Sequence, residues 1–365
     1  MNYDEICRLS KAVYLSDGKK DKTKNCIVFS HCLDTGGAPL VLLEMLELLK
    51  DEYNISLISP FDGELADAFV KRGIDVYIGN VRDFAPAGSE FWKQFDLAIL
   101  NTLLAYPFAA CFQNTSVPTI WWLHESMPTF EDAYKLAIPF GLLSKNIKIV
   151  SVTAYTADCV KKMYGLDSEI MPMGLCDRYT ENTEDEDGIV RFYMPASFEG
   201  RKAQDIMVQA IVSLPREYLS RTEFFFSGPV INKAYSDVVT KLTEAYPNVH
   251  MLGQLTKEEV YGVYQQIDCV VAPSRADPTP TTIVEGMMFK RLSLCSDATG
   301  ISKYITDFES GYVFPSGNAD SLKDKIMYIV DHRDEWERVQ NAGREIFLKY
   351  FEKTRMQEKL YQLIK

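Results

Sequence analysis

From residue 26 onward, short apolar runs alternate with longer segments in which apolar residues recur at helical spacing. This alternation predicts parallel β-sheets covered by helices on both faces, which is the pattern of an α/β fold. The predicted strands of the first half span residues 26–30, 55–59, 74–78, 97–100, 118–123 and 147–152. After an acidic run without apolar residues at 181–187, the pattern restarts with a strand over 189–194. The sequence therefore predicts two α/β domains joined by a solvated acidic linker.

The length of 365 residues also favours two domains of similar size, because a single hydrophobic core rarely serves so long a chain. We expect a first domain over residues 1–175, in which residues 1–24 add an extra helix and a basic turn before the first strand. We expect a second domain over residues 188–348, followed by a last helix over 349–365.

Charge and cysteine content narrow the functional classes. A net charge of -12 argues against nucleic acid as the main partner, because binding a phosphate backbone requires an extended basic surface. The eight cysteines show no paired spacing, and Cys26, Cys269 and Cys295 fall in predicted strands. We therefore expect reduced core thiols, without a disulfide framework or a zinc site.

We expect a cytoplasmic protein, because the sequence shows neither a signal peptide nor a membrane span. The first residues are polar and acidic, unlike a signal peptide, and no apolar window is long enough to span a bilayer. The apolar, lightly basic stretch 134–148 is the candidate for peripheral contact with the inner face of the membrane. The alternative for this stretch is a core helix packed on the first sheet.

The stretch Asp277-Pro-Thr-Pro-Thr-Thr-Ile-Val-Glu285 carries two carboxylates eight residues apart around a predicted helix start. Thr279 is a suitable N-cap, Pro280 suits the first helical position, and the apolar residues that follow recur at helical spacing. Two carboxylates in this arrangement are chemistry that a packed core does not need. The alternative is an ordinary carboxylate at a helix start, followed by a solvated glutamate.

The N-terminus of this predicted helix is a candidate anion site. The backbone N–H groups of Thr281, Thr282 and Ile283 would lack partners within the helix, and the helix dipole places positive charge at the same end. The preceding run over residues 268–272 predicts a buried strand. The helix start therefore follows the carboxyl end of a parallel strand, where open α/β sheets bind ligands.

A basic pair, Arg201 and Lys202, precedes a predicted amphipathic helix that runs through Leu214. Cations are unfavourable beside the positive end of a helix, and a bound anion would remove this conflict. Arg201 and Lys202 are therefore candidate ligands for an anion.

The stretch PSRADPTPTTIVEGMMFKRLSLCSDATGISKYI resembles the donor-binding segment of the family 4 glycosyltransferases. The signature of that family is two glutamates separated by seven residues; Glu285 matches the second, and Asp277 replaces the first. Where members often carry Gly-Phe-Gly, this chain has Pro278-Thr279-Pro280, and Pro280 has no N–H to offer a sugar. The resemblance covers residues 25–350. It implies two Rossmann-like domains facing a cleft, the GT-B architecture, with the last helix crossing back to the first domain.

In the first domain, on the acceptor side, the resemblance assigns two elements. The loop His31-Cys-Leu-Asp-Thr-Gly-Gly is similar to the family's Gly-Gly loop, which implies that Gly36 and Gly37 lie against the donor diphosphate and the acceptor. His124-Glu125, at the end of a predicted strand, resembles the family's His-Glu element, in which the histidine contacts the donor sugar. The alternative for His124 is a structural histidine.

In the second domain the resemblance implies the donor site. Lys202 takes the position of the lysine that binds the donor diphosphate, whereas the family's additional arginine is absent near Ser197, and Arg201 is the candidate substitute. The resemblance assigns Asp277 to the transferred sugar and Glu285 to the ribose. The catalytic set is then His124, Lys202, Asp277 and Glu285, and the other expected donor contacts are Gly253, Gln254, Leu255, Thr279, Thr281 and Thr282.

The implied function is transfer of a hexose, with retention at the anomeric carbon, from a nucleoside-diphosphate sugar such as a UDP-sugar. The acceptor would be a hydroxyl of a carbohydrate, lipid-linked or protein-linked molecule, in assembly of cell-surface polysaccharide, glycolipid or glycoprotein. The sugar nucleotide is a substrate, so we expect no cofactor. Two alternatives are another GT-B enzyme, such as a 2-epimerase, and a catalytically silent partner of an active transferase.

We expect no divalent metal. The nearest Asp-x-Asp triplet, Asp185-Glu-Asp187, lies in the acidic linker, whereas magnesium on phosphates normally requires carboxylates at the site. The diphosphate charge would instead be met by Lys202, with Arg201, and by the helix start at Thr281 and Thr282.

Overall fold

The computed structural model of this chain describes residues 3–18, 20–84, 88–135, 143–181 and 187–365. The chain divides into two compact units, one formed by Met1–Leu175 with Lys353–Lys365 and the other by Cys176–Glu352. Each unit contains one largely parallel β-sheet with helices between successive strands, which confirms the predicted α/β class.

Fourteen strands are present in the described residues. They are β1 Ala12–Tyr14, β2 Lys24–Ser30, β3 Tyr53–Ser59, β4 Asp75–Ile78, β5 Leu97–Asn101, β6 Thr119–Leu123, β7 Ile147–Ser151, β8 Glu169–Ile170, β9 Val190–Pro195, β10 Thr222–Ser227, β11 Val249–Met251, β12 Cys269–Ala272, β13 Leu292–Ser296 and β14 Tyr312–Phe314. Most of them coincide, within one or two residues, with the strands that the apolar runs predict.

The α-helices of the described residues follow the same order. They are α1 Tyr3–Leu9, α2 Gly37–Glu47, α3 Ala66–Lys71, α4 Val81–Phe84, α5 Gly88–Trp92, α6 Tyr106–Phe112, α7 Met127–Lys135, α8 Ala154–Tyr164, α9 Gln204–Val212, α10 Arg216–Leu219, α11 Lys233–Thr243, α12 Lys257–Tyr264, α13 Thr281–Met288, α14 Ala319–Asp331, α15 Trp336–Ile346 and α16 Lys353–Ile364. Short 3-10 helices span Leu103–Ala105, Gly300–Tyr304 and Arg333–Glu335, and a π-helical turn spans Phe347–Phe351.

The sheet of the first unit has eight strands in the order β1-β4-β3-β2-β5-β6-β7-β8. All neighbours pair in parallel except β1, which is antiparallel to β4. Neither edge strand is predicted by the apolar runs, because β1 has three half-buried residues and β8 has two exposed ones. The core on one face is rich in aromatic residues, in which Phe29 stacks on Phe108 and Trp92 meets Phe112 edge to face.

The last helix, α16, belongs to the first unit, as the family resemblance implies. Its first residue, Lys353, donates its backbone N–H to Leu175 and forms an ion pair with Glu44 at 3.1 Å. Near the other end, the Tyr361 hydroxyl donates to Glu52 at 2.6 Å. Hydrogen bonds at both ends therefore hold α16 on this unit.

The sheet of the second unit has six parallel strands in the order β11-β10-β9-β12-β13-β14. The strands of this sheet are mostly buried on both faces, as expected of a parallel sheet covered by helices. In its core Phe192 and Phe224 stack on neighbouring strands, and the Trp336 indole donates to the Ile329 carbonyl.

None of the described helices combines the length and the apolarity that crossing a bilayer requires. Of the stretch 134–148, which the sequence marks for peripheral membrane contact, residues 136–142 lie outside the described residues.

Two helical glycines of the second unit provide a matched test of its packing. A Cβ at Gly286 in α13 would lie 2.7 Å from Cγ2 of Val270 in β12, whereas a Cβ at Gly262 in α12 would meet no atom within 4 Å. We expect Gly286→Ala to lower the free energy of unfolding by about 1–3 kcal/mol through overpacking. Gly262→Ala should raise it by roughly 0.5–1 kcal/mol, because alanine favours the helix. Urea denaturation checks both; shifts of the same sign would contradict this packing.

Candidate functional site

The candidate site of the second unit lies at the carboxyl ends of four adjacent strands. These strands are neighbours in the sheet, in the order β11, β10, β9 and β12, and they are parallel. The loops that follow them therefore lie at the same end of the sheet. Ligands of open α/β sheets bind at this edge. The loops after β9 and β12 contain Lys202 and Asp277, two of the predicted site residues.

The Lys202 ammonium donates to Asp277 Oδ2 at 2.6 Å, and Arg201 Nη1 lies 3.7 Å from the same oxygen. The Asp277 side chain is only 6% exposed, so two cations share one nearly buried carboxylate oxygen. Asp277 Oδ1 accepts no hydrogen bond from the described residues. Lys202 keeps N–H donors beyond the one on Asp277, and Asp277 keeps a free acceptor atom, which suits a ligand with both anionic and hydroxyl groups.

Arg201 is held towards Asp277 by Glu199. Glu199 Oε1 accepts hydrogen bonds from Arg201 Nη2 at 3.0 Å and from the Ser197 hydroxyl at 2.8 Å. The serine that stands where the resemblance expects an arginine therefore helps to fix the carboxylate that orients Arg201.

Arg275 forms a second link between the same two loops, and no local sequence pattern marks it as a site residue. Its backbone N–H donates to the Arg201 carbonyl at 2.8 Å, and its Nη1 donates to the Gly200 carbonyl at 2.6 Å. The guanidinium also binds Asp205, the second residue of α9, with N–O distances of 2.9 and 2.6 Å. This clamp fixes the loop that carries Lys202 against the segment that carries Asp277.

Ala203, directly after Lys202, adopts a left-handed conformation with φ 62° and ψ 41° and is fully buried. This conformation is uncommon for a residue with a Cβ and costs about 1–2 kcal/mol. Strain of this kind is retained at functional sites when the surroundings determine the conformation, and the Arg275 clamp does so here.

The helix start after Asp277 differs from the prediction in one respect. Helix α13 begins at Thr281 with Pro280 as its N-cap, and neither Thr279 as N-cap nor Pro280 as first helical residue is correct. The Thr279 hydroxyl is buried without a hydrogen-bond partner among the described residues. The physical reason is that Pro280 is extended, with ψ 106°, so the helical conformation starts one residue later.

The amides of the first turn are partly available to a ligand. The Ile283 N–H donates to the Pro280 carbonyl at 3.1 Å, so the prediction that this group is free is wrong. The N–H groups of Thr281 and Thr282 make no hydrogen bond within the described part of the chain. Helix α13 therefore presents two amide donors at its positive end.

Glu285, in the second turn of α13, is nearly inaccessible and already paired. Its Oε1 forms an ion pair with Lys257, and its Oε2 accepts a hydrogen bond from the Tyr264 hydroxyl at 3.0 Å. Burial, followed by the charge of Glu285, raises the pKa of Tyr264 well above its usual value, so this hydroxyl remains a donor. Neither Lys257 nor Tyr264 is visible as a site residue in the sequence, because both reach Glu285 only through the fold.

The loop at Gly253, Gln254 and Leu255 follows β11 and is largely exposed at its first two residues. Gly253 has φ 72° and its carbonyl accepts the N–H of Gly228 at 2.9 Å, which fixes the loop to the end of β10. A backbone held in this way can present its own amides to a ligand.

In the first unit, polar residues lie at the carboxyl ends of three neighbouring strands, β2, β5 and β6. His31 follows β2, Asn101 ends β5 with Thr102 next to it, and His124 follows β6. One polar atom of each is buried without a partner among the described residues: His31 Nδ1, Asn101 Oδ1, Thr102 Oγ1 and His124 Nε2. Native proteins rarely leave buried polar atoms unpaired, so this group is a candidate ligand site.

Burial decides the charge state of the His124-Glu125 pair. Burial, with a smaller contribution from the nearby His31, lowers the pKa of His124 to about 3, so its ring is neutral at pH 7. Burial raises the pKa of Glu125 to about 7, although the N–H groups of Leu103 and His124 donate to its carboxylate at 2.7 and 2.8 Å. A neutral His124 can exchange hydrogen bonds with hydroxyl groups but cannot supply a positive charge.

Thr102 carries a second backbone strain, with φ 76° and ψ 162°, a region that is essentially restricted to glycine. Its N–H donates to the Trp122 carbonyl and its carbonyl accepts the Trp121 indole N–H, both at 2.8 Å. The carboxylate of Glu125 holds the next amide, that of Leu103. Three hydrogen bonds therefore maintain this conformation beside the unpaired polar atoms.

Gly36 and Gly37 lie at the start of α2, with Gly36 as the N-cap, and both are exposed. Neither has a positive φ, so the backbone conformation does not itself require glycine at either position. A Cβ at Gly36 would lie 2.8 Å from Asp34 Oδ1, which accepts the Gly36 N–H. Glycine at position 36 therefore leaves room for the Asp34 carboxylate at the start of α2.

Within the described ranges, no three His, Cys, Asp or Glu side chains come together as a group that could hold a metal ion. The nearest Asp-x-Asp triplet overlaps residues 182–186, which are outside the described part of the chain.

Two family models match the chain. The model described as Glycosyl-transferase family 4 matches residues 22–157, and the model described as Glycosyl transferases group 1 matches residues 180–346. Over 154 residues the chain is 23% identical to an uncharacterized glycosyltransferase of Methanocaldococcus jannaschii. This match spans 42% of the chain and 42% of that relative, which is less than half the length of either.

Solved structures share the fold over nearly the whole chain. HepE of Anabaena, in complex with UDP and glucose, aligns with a TM-score of 0.78 at 14% identity, covering 93% of this chain and 98% of that one. A glycosyltransferase of Rickettsia africae aligns with a TM-score of 0.76 at 16% identity, covering 94% and 98%. Sucrose-phosphate synthase of Thermosynechococcus elongatus aligns with a TM-score of 0.75 at 16% identity, covering 93% and 98%.

At these identities the structural likeness shows the fold alone, and that fold is GT-B, as the resemblance implies. The two family models match the two halves in order, on either side of the division between the units. On this evidence the chain belongs to the family 4 glycosyltransferases.

Proposed function

We propose that this chain is a retaining hexosyltransferase that moves a hexose from a nucleoside-diphosphate sugar, a UDP-sugar first, to an acceptor hydroxyl. We assign it to assembly of cell-surface polysaccharide, glycolipid or glycoprotein. The observation that carries the proposal is the cluster in which Lys202 and Arg201 meet Asp277, next to the N-terminus of α13 with its two available amides. Family membership supports the donor class, and so does the fold shared with HepE, which was solved with UDP and glucose.

The cluster can bind a diphosphate without losing its internal contacts. A lysine ammonium has three N–H donors, and Lys202 uses one of them on Asp277, so two can reach phosphate oxygens. Arg201 and the amides of Thr281 and Thr282 add donors that are already fixed in place. Such preorganised donors stabilise the charge that develops on a departing diphosphate.

Asp277 and His124 are the proposed contacts to the transferred sugar. Asp277 Oδ1 is the free acceptor of the cluster and can accept a sugar hydroxyl. His124 is neutral and has an unpaired ring nitrogen, so it can also exchange a hydrogen bond with a hydroxyl. Glu285 is the proposed contact to the ribose, and the exposed Gly36 and Gly37 at the start of α2 are the proposed contacts to the donor diphosphate and the acceptor.

The reaction needs little covalent chemistry from the protein. The acceptor oxygen forms its bond to the anomeric carbon on the face from which the diphosphate leaves, and the carbon–oxygen bond to the diphosphate breaks. The acceptor proton passes to the departing phosphate oxygen. The residues named above then act by positioning the reactants and by stabilising charge.

The direct test is donor turnover by the full chain. With a panel of nucleoside-diphosphate sugars and no acceptor, we expect slow release of free sugar from one donor. When an acceptor is added, we expect proton NMR to show a product with the same anomeric configuration as the donor. Inversion would exclude the retaining reaction. Absence of turnover with every donor would favour a catalytically silent partner, and C2 epimerisation of the donor would favour a 2-epimerase.

The same assay addresses metal dependence. Exhaustive chelation is expected to leave the rate unchanged, because Lys202, Arg201 and the start of α13 meet the charge of the diphosphate. Loss of activity on chelation, restored by stoichiometric magnesium or manganese, would show that this charge assignment is wrong.

Lys202→Ala is expected to lower kcat/KM for transfer by about 10²-fold or more, which is roughly 2.7 kcal/mol, because a charge-assisted contact to the leaving group is lost. Lys325→Ala is a matched control, since Lys325 forms a comparable ion pair with Asp307 at 2.6 Å outside the loops of the candidate site. The control should retain its rate. Equal activity of Lys202→Ala and the parent protein would exclude Lys202 from the diphosphate site.

Glu285→Gln and Asp277→Asn should separate ribose recognition from sugar recognition. Glu285→Gln is expected to weaken binding of the nucleoside diphosphate itself, because a buried carboxylate that accepts ribose hydroxyls is lost. Asp277→Asn should preserve this binding and lower the transfer rate, because Lys202 stays available to the phosphates. Titration calorimetry and initial rates measure the two effects. If both variants bind nucleotide like the parent protein, the assignment of Glu285 is wrong.

A further inference from the structure

Lys257 is the more exposed member of its ion pair with Glu285. The side chain of Glu285 is 2% exposed, whereas that of Lys257, which forms an ion pair with Glu285 Oε1, is 43% exposed. A ligand that approaches Glu285 from solvent therefore meets the ammonium of Lys257 as well as the carboxylate.

The position of Lys257 is unfavourable for the helix that carries it. It is the first residue of α12, after the N-cap Thr256, and a cation at this end opposes the helix dipole. Two contacts of its side chain offset this unfavourable interaction with the dipole. The ammonium forms an ion pair with Glu285 and lies 5.0 Å from the centroid of the Tyr261 ring. Burial acts to lower the pKa of Lys257, but Glu285 and Tyr261 outweigh it and raise the pKa, so the ammonium stays charged.

The pair offers what a carboxylate alone does not. An ionised carboxylate can only accept hydrogen bonds, whereas each hydroxyl of a vicinal diol both donates and accepts. Among the described residues, Lys257 pairs with one oxygen of Glu285 and Tyr264 with the other, and each oxygen has a second lone pair. The ammonium has three N–H donors. Glu285 can therefore accept from a diol while Lys257 donates to it.

We propose that Lys257 is a specificity-determining residue that recognises, together with Glu285, the vicinal hydroxyls of the donor ribose. The inference rests on the proposed function, which places the ribose at Glu285. We therefore expect the protein to prefer ribonucleoside diphosphates over their 2′-deoxy analogues. A 2′-deoxy analogue lacks one hydroxyl, so a hydrogen-bonding group of Lys257 or Glu285 is left without a partner.

The test measures this preference directly on the full chain. Dissociation constants are determined by titration calorimetry for UDP and 2′-deoxy-UDP, with the GDP and ADP pairs in parallel, and the base that the parent protein binds most tightly is used. We expect the parent protein to prefer the ribonucleotide by at least about tenfold. Lys257→Met, which keeps the length of the side chain, should reduce this ratio several-fold, chiefly by weakening the ribonucleotide.

Matched variants separate this role from folding. Lys233→Met makes the same substitution at the first residue of α11, where Lys233 pairs with Asp237 and is 83% exposed, and it should keep the parental ratio. Because Lys257→Met leaves the charge of Glu285 unpaired, the double variant Lys257→Met/Glu285→Gln, which removes both charges, should fold and also lack the preference. The ratio of the two dissociation constants does not change when a variant weakens the binding of both nucleotides equally, as partial unfolding would.

Each result decides the inference. A parental ratio in Lys257→Met, tighter ribonucleotide binding in that variant, or a parent protein that binds both nucleotides equally would overturn it while leaving the proposed function intact. A parent protein that binds none of the nucleoside diphosphates would instead overturn the proposed function and the inference with it.

Discussion

The ion pair between Lys202 and Asp277 is the contact on which the candidate site of the second unit depends. It joins residues 75 positions apart, which lie after the neighbouring strands β9 and β12. A lysine and an aspartate that are both largely removed from solvent lose hydration, and their attraction offsets that loss only in good geometry. The Arg275 clamp supplies this geometry by fixing both loops, and it also maintains the strained Ala203.

A binding site of this kind is organised before its ligand arrives. In the proposed reaction the diphosphate meets donors that already have fixed positions, so little reorganisation accompanies the charge that develops on the leaving group. The same argument applies to Glu285, whose two oxygens are oriented by Lys257 and Tyr264. Asp277 and Glu285, the two carboxylates of the signature, are thus each paired with a lysine that is distant in the sequence and adjacent only in the fold.

Much of this could be predicted from the sequence, and the failures have physical causes. The apolar runs indicate most strands, and the local pattern around Asp277 indicates a helix after a strand. The predicted start of α13 is wrong by one residue, because proline favours the first helical position but Pro280 is extended here and serves as the N-cap. Arg275 and Lys257 are not predicted, because their partners lie 70 and 28 residues away and become neighbours only when the parallel strands align.

The first unit illustrates the same limit of local pattern. His124 at the end of a strand is visible in the sequence, but the unpaired atoms of Asn101 and Thr102 beside it follow from the order β2-β5-β6. Thr102 could not be predicted at all, since its backbone conformation is one that a β-branched residue avoids. Its hydrogen bonds to Trp121 and Trp122 come from the neighbouring strand.

The measurement that tests the central claim most directly is a thermal-shift titration of the unmodified chain with UDP, GDP, ADP and CDP. A ligand that binds only the folded protein adds about 2.7 kcal/mol of stability at 100 times its dissociation constant. The account predicts a saturable rise in melting temperature with at least one nucleoside diphosphate and a smaller rise with its monophosphate, because Lys202 and Arg201 bind the diphosphate. Identical shifts for mono- and diphosphates, or no shift with any of them, would contradict it.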